Sequence, residues 1–324
     1  MPADMRQCLS VHTNSSVRTS PIVPGSRRGG SLSPGGLLSR VAMWREAAAG
    51  RGRRHQHAGS TPGASGLESD DGDRLETDMR AALTRGEIEV VYQPQYAAAD
   101  NRIIGGEALA RWRHPELGPI APHTVFAIAA QAGLAGALSR HIMDVALAQG
   151  RAFPSQITVS LNVTAWDLAQ PGFAGGVARA IERAGFPPNR LTLEITEDAL
   201  VSDLAGADRS LRCLTASGTR IALDDFGAGF CNFRYLKSLP LDSLKLDRSM
   251  VCGIVEDERD LAVLRAIVAL ARALRLDVVA EGIETEAQRD AVFREGCASW
   301  QGFLGSQALD AESFLALVAR EQAA

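Results

Sequence analysis

Residues 220–247 read RIALDDFGAGFCNFRYLKSLPLDSLKLD. Two short apolar runs, 220–224 and 243–246, each finish at charge. Asp224 and Asp225 close the first, and Lys245 and Asp247 stand in the second. Gly227 and Gly229 follow the first run, where a tight turn needs backbone angles that glycine adopts freely. The same unit recurs outward from this stretch. Runs suited to strands fall at 88–93, 103–109, 157–163, 191–195, 277–280 and 299–303, mostly separated by helical pattern. The clearest helix covers 259–275, with Leu261, Leu264, Ile267, Val268, Ala271 and Leu274 on one face. Upstream, Asp71 is placed to cap a helix through Leu75, Met79 and Leu83 that stops at Gly86. Eight strands alternating with helices over roughly 250 residues have the size and rhythm of an α/β protein of the TIM-like (β/α)8 barrel type. A doubly wound open sheet would call for a glycine-rich phosphate loop after the first strand, and none is there.

Polar residues stand where these runs end. They are Glu107, Asn162, Glu194, the Asp224–Asp225 pair, Lys245 with Asp247, Glu281 and Gln301. One such residue is an ordinary strand end meeting solvent. Seven successive runs that share the feature point to the carboxyl-end mouth of a barrel, where barrel chemistry takes place. Carboxylates gathered there repel one another unless cations sit among them, because an unpaired buried charge is costly. Glu, Asn and Asp offer only oxygen, which suits Mg2+ or Mn2+ and suits zinc poorly. The adjacent Asp224 and Asp225 suit two ions, a pair ~3.5–4 Å apart being a device for activating water against a phosphodiester. Lys245 would add a point charge beside the water or the phosphate.

Composition narrows the alternatives. The chain has 324 residues and a net charge of −4, which excludes a basic coat for a nucleic-acid polymer. Residues 1–67 hold nine Arg and two acids, a balance of +7, leaving −11 on the rest. That first stretch is rich in Ser, Gly, Pro and Arg and is expected to be mostly disordered, with 68–324 forming the barrel domain. A short helix fits 37–49, and the arginines at 51–54 read as a solvated linker. No apolar run reaches the ~18 residues of a membrane span, and no secretory signal is evident. Five cysteines, none in a C-x-x-C pair, argue against a disulfide framework and for a reducing cytoplasm. His114 reads as structural, Cys231 as a small packing residue, and Trp112, Trp166 and Trp300 as core or rim packing. Serine-hydrolase elbow, P-loop and zinc-protease motifs are all missing.

The run EALARWRHPELGPIAP from Glu107 carries a resemblance. So do YQP at 92–94, SLN at 160–162, LEITE at 193–197, DDFGAG at 224–229, LKLDRS at 244–249, AEGIE at 280–284 and QGF at 301–303. In this order and spacing they resemble the EAL domain family of bacterial cyclic di-GMP phosphodiesterases. The resemblance implies a TIM-like barrel with an antiparallel first strand. It also implies hydrolysis of one phosphodiester of cyclic di-GMP to linear pGpG, with two Mg2+ or Mn2+ ions. By motif, Glu107, Asn162, Glu194 and Asp224 resemble ligands of a first metal, and Asp225 and Glu281, with Asp224 shared, those of a second. Lys245 resembles the catalytic lysine, and Glu281 is also a candidate base. Gln93, Leu109, Arg111, Asp247 and Gln301 resemble substrate contacts. Glu197 resembles a loop anchor and Glu284 a supporting residue. A homodimer is implied as well. The stretch 42–54 vaguely resembles the tail of a GGDEF domain, whose body is absent.

The sequence departs from the family in three places: Ala228 to Asn232 in the loop, Ala130–Gln131, and Gly305 with Gln307–Ala308 after QGF. No implied ligand is lost. The altered loop keeps open a weakly active or inactive receptor that signals through a protein partner, and more distantly an interaction module without nucleotide.

Overall fold

The computed structural model describes residues 68–200, 203–228 and 233–323. The expectations for residues 1–67 and for Cys231 lie outside these. The chain opens with α1 (Glu68–Arg85), then β1 (Ile88–Ala97), β2 (Ile103–His114) and β3 (Gly118–Ile120). After α2 (Pro122–Gln131) and α3 (Ala135–Gly150) come β4 (Thr158–Val163), α4 (Ala165–Leu168) and α5 (Phe173–Ala184). Next are β5 (Leu191–Thr196), α6 (Glu197–Leu200), α7 (Leu204–Ala216), β6 (Arg220–Phe226), α8 (Phe233–Ser238) and β7 (Ser243–Leu246). The last elements are α9 (Glu258–Leu274), β8 (Asp277–Ala280), α10 (Glu286–Glu295), β9 (Ser299–Gln301) and α11 (Ala311–Ala323).

All eight expected strands form. They run in the order β1-β9-β8-β7-β6-β5-β4-β2, and β1 pairs with β2 to close the ring. The first strand is antiparallel to both neighbours, and the other pairings within the ring are parallel. The short β3 adds to β2 outside the ring as a hairpin, which the sequence reading did not anticipate. Asp71 is not a cap, because α1 already begins at Glu68; the helix does stop before Gly86, whose φ is 74°.

Strand alternation divides the side chains between two environments. One parity is apolar and buried: Leu161, Leu193, Leu223 and Leu244 join helix residues such as Leu138, Val177, Leu211 and Leu264 in one core. This is the layer between sheet and helices. The other parity faces into the ring and is largely polar, with Ser160, Glu194, Asp224, Lys245 and Gln301 all buried. A barrel of this class is usually filled by branched apolar side chains. The polar filling is the first structural mark of a site.

Two buried polar residues hold the scaffold together. His114 Nε2 lies 3.2 Å from Asp78 Oδ2, while its Nδ1 accepts the Glu116 and Leu117 amides at 3.2 Å each. It ties α1 to the β2–β3 turn, the structural role expected of it. Arg190 donates to the carbonyls of Ile157 at 2.8 Å, Gly150 at 3.1 Å and Phe153 at 3.3 Å, joining the end of α3 to the start of β4. Replacing Arg190 by Met removes these donors and strands buried carbonyls. The expected loss is about 3 kcal/mol, read as a lower urea midpoint with an unchanged slope.

Candidate active site

The inward face places its polar residues in register. Gln93 pairs with Glu107 across β1 and β2, Asn162 with Glu194 across β4 and β5, and Thr196 with Asp224 across β5 and β6. The β6–β7 ladder slips between Leu223 and Phe226. Asp225 sits in that slip with φ 55°, in the left-handed region. The irregularity re-aims the second acid: Asp224 is buried in the ring, and its neighbour Asp225, though exposed, lines the mouth with Leu109 and Asn162.

Lys245 is 2% exposed and stands among four carboxylates. Its Nζ donates to Glu194 Oε2 at 2.5 Å. It lies 2.7 Å from Glu281 Oε1, 3.1 Å from Asp224 Oδ1 and 3.6 Å from Glu107 Oε2. The Glu281 and Asp224 oxygens are near the ammonium but off a hydrogen-bonding line, and both are buried without a hydrogen-bond partner. Glu107 is held from two sides, accepting from Asn162 Nδ2 and from Gln301 Nε2, each at 2.7 Å. Gln301 Oε1 is also left without a donor.

One ammonium cannot balance four carboxylates in a buried site. Burial raises Glu194 well above the ordinary carboxylate range, with Glu107 and Asp224 adding repulsion against the attraction of Lys245. Burial likewise pushes Glu281 up to about 7, again opposed by Lys245. Glu107 moves the other way. Burial works against its charge, but Lys245 and the amides of Gln301 and Asn162 outweigh it and hold the group low. Burial also opposes the charge on Lys245, and the surrounding carboxylates overcome that and keep it firmly protonated. Asp225, exposed at the surface but partly desolvated by the mouth around it, is raised by that desolvation and then by Asp224.

Among the described residues, no three His, Cys, Asp or Glu side chains already surround a common metal position. The ammonium stands between the carboxylates instead. The donor chemistry nonetheless fits a hard divalent cation: every candidate ligand offers oxygen, negative charge is in excess, and three buried oxygens lack donors.

Of the residues singled out from sequence, Glu107, Asn162, Glu194, Asp224, Lys245, Glu281 and Gln301 form one connected cluster. The others surround it. Gln93 and Leu109 are half-buried, as is Arg111, which donates to the Ala110 carbonyl at 2.9 Å. Burial lowers the Arg111 pKa, partly offset by Glu107. Asp247 spends its carboxylate capping a short turn, accepting the Ser249 amide at 2.9 Å. Glu197 opens α6, directly after β5. Glu284 pairs with Arg248 at 2.8 Å on the surface, outside the cluster. Gln95 and Ser160, buried within the ring, were missed by sequence reasoning. Their signal was parity: Gln95 is two residues from Gln93, and Ser160 two from Asn162. Trp112 and Trp300 are buried as expected, whereas Trp166 is exposed. Cys213 is disulfide-bonded, so the cysteines no longer argue for a reducing compartment. Spacing along a chain does not report whether two sulfurs meet in space.

A profile of the EAL domain family matches residues 76–308. The bifunctional diguanylate cyclase/cyclic di-GMP phosphodiesterase MucR of Pseudomonas aeruginosa is 39% identical over 246 residues, which are 75% of this chain and 36% of MucR. The cyclic di-GMP phosphodiesterase NbdA of the same species is 35% identical over 240 residues, 73% of this chain and 31% of NbdA. The chain therefore spans about a third of the length of these curated relatives. The structure of the PaMucR phosphodiesterase in complex with c-di-GMP superposes with a TM-score of 0.71 at 38% identity, covering 75% of this chain and 100% of that one. The EAL domain of FimX from Pseudomonas aeruginosa, at 20% identity and a TM-score of 0.67 over 72% of this chain and 96% of its own, is alike in fold. With its profile match, its relatives and its barrel in agreement, the chain belongs to the EAL domain family.

Proposed function

We propose that this chain hydrolyses one phosphodiester bond of cyclic di-GMP to give linear pGpG, using two bound Mg2+ or Mn2+ ions. The observation that carries this reading is the buried cluster around Lys245, in which oxygen donors and negative charge exceed what one ammonium satisfies. Its family membership and its phosphodiesterase relatives support the substrate.

In this reading Glu107, Asn162, Glu194 and Asp224 hold one ion, and Asp225 and Glu281 hold the other, with Asp224 shared. Held by these residues, the ions would supply a water acidic enough to attack near neutral pH and would offset the phosphate charge. The protein's own groups do the rest. Lys245 acts as a fixed positive charge toward the water or a phosphate oxygen. Glu281, the most exposed of the four carboxylates around it with 19% of its side chain accessible, takes the proton of the attacking water. Arg111 presents a guanidinium to a phosphate oxygen. Gln93, Leu109, Asp247 and Gln301 line the substrate's path. Glu197 anchors the loop after Asp225, and Glu284 braces the segment after β8 through Arg248. The barrel from 68 onward is the catalytic unit, with 1–67 as an arm. A homodimer in the cytoplasm completes the reading; among the described residues no helix is long and apolar enough to cross a membrane.

With Mn2+, the purified chain is expected to convert cyclic di-GMP to pGpG, resolved by chromatography. Glu107→Gln or Lys245→Met should each reduce kcat on the order of 10³-fold, as loss of a charge-stabilising group does. Arg111→Ala should act mainly on KM. Tight binding with no turnover by the wild type, across metals and pH, would replace the hydrolase with a receptor. A separate outcome concerns stability with a chelator present. Lys245→Met should lose about 3–5 kcal/mol at pH 7, because it leaves buried carboxylates uncompensated. That loss should shrink toward pH 5. A carboxyl such as Glu281, whose pKa is higher folded than unfolded, takes up its proton preferentially in the folded state as pH falls.

A further inference from the structure

A cavity of ≈ 1020 Å³ opens from the barrel mouth, where Leu109, Asn162 and Asp225 line it, and runs outward between α3 and α5 to Trp166 and Arg140. Trp166 is unlike the other tryptophans described. Trp112 and Trp300 are 0% and 3% exposed, whereas Trp166 is 47% exposed. A large aromatic left open to a cavity leaves apolar area in water unless something covers it.

The ring is held in place, not simply left at a rim. Trp166 lies in α4, four residues beyond Asn162. A reciprocal cap fixes that helix, with Thr164 accepting the Asp167 amide and Asp167 accepting the Thr164 amide. Asp167 also accepts Ser139 Oγ at 2.8 Å and Thr164 Oγ1 at 2.6 Å, which ties α4 to α3. Gln170 donates to the Trp166 carbonyl at 3.0 Å. The indole presses on Gly136, where an added Cβ would lie 2.3 Å from two of its ring carbons. Only glycine admits the ring there. Arg140 is the neighbour on the same turn of α3, its Nη1 3.3 Å from that Cβ position. Its guanidinium makes no ion pair or side-chain hydrogen bond among the described residues.

We infer that Trp166 and Arg140 form a guanine subsite, in which Trp166 stacks one base of the cyclic dinucleotide and Arg140 reads its O6 and N7. The inference rests on the proposed substrate and deepens it. An indole offers a π-face to any base, so stacking gives affinity without choice. A guanidinium that donates two parallel hydrogen bonds to O6 and N7 favours guanine, because adenine presents an amino group in place of O6. The two residues therefore have separable effects.

The test is steady-state kinetics of the metal-loaded chain with cyclic di-GMP and cyclic di-AMP. Trp166→Ala should raise KM for cyclic di-GMP on the order of 10–100-fold, the weight of one base stack, with the change in KM and not in kcat. Trp166→Tyr should restore most of it, which separates stacking from a folding defect. Arg140→Met should cut the preference for cyclic di-GMP over cyclic di-AMP by roughly tenfold or more. An unchanged KM in Trp166→Ala, or an unchanged preference in Arg140→Met, overturns the subsite. If the wild type binds cyclic di-GMP without turnover, the same comparisons are read as Kd by calorimetry. If it neither binds nor hydrolyses cyclic di-GMP, the proposed function itself fails, and the subsite falls with it.

Discussion

A single lysine set among four carboxylates is the constraint on which this barrel depends. Lys245 is buried, and a charge taken from water needs partners that replace hydration. Glu107, Glu194 and Asp224 come from three different strands, β2, β5 and β6, and Glu281 is the residue that follows β8. From β7 the ammonium therefore ties the flanking β6 and the end of β8 to β5 and β2 farther round the ring. Ridding the cluster of any one acid would leave the others better balanced. The arrangement is over-supplied with negative charge for structural purposes, and that excess is what marks it as a site.

The polar interior is tolerable because the apolar core lies elsewhere. Leu161, Leu193, Leu223 and Leu244 bury their side chains under the helices, so the ring's stability does not require an apolar filling. The two faces of each strand thus do different work, one holding the domain and the other its chemistry. This separation also explains the slip in β6. A regular strand would send Asp224 and Asp225 to opposite faces. The left-handed Asp225 lets the chain leave the ladder just where two successive carboxylates belong near one mouth.

Most of this was legible in residues 220–247 and their repeats. Short apolar runs located all eight strands of the ring, and the polar residues at the ends of seven of them gave the seven members of the cluster. Parity carried that information, since a residue at a strand's end faces in or out according to its register. What could not be read were properties decided by distant neighbours. The hairpin strand β3 is three residues long and exists only because β2 overhangs the ring. Asp71 had cap chemistry, but the helix begins earlier. The exposure of Trp166 depends on Gly136, thirty residues away, and the Cys213 disulfide depends on sulfurs meeting in space.

The net charge of −4 conceals the more useful fact, a balance of −11 over residues 68–324 against +7 over residues 1–67. A dinucleotide with two phosphates is repelled by an acidic barrel unless positive charge is concentrated at the point of entry. Lys245 alone does not reverse the local field, because its four partners outnumber it. Any cation bound there competes with the ammonium for the same oxygens. Asp224 Oδ1 and Glu281 Oε1, already without hydrogen-bond partners, are the atoms it could take at least cost. Cation affinity is thus set by what Lys245 gives up, and a substrate phosphate, by adding negative charge on the far side, favours the ammonium and the cations together. The acids, the lysine and the substrate are then one electrostatic unit, in which none is balanced without the others.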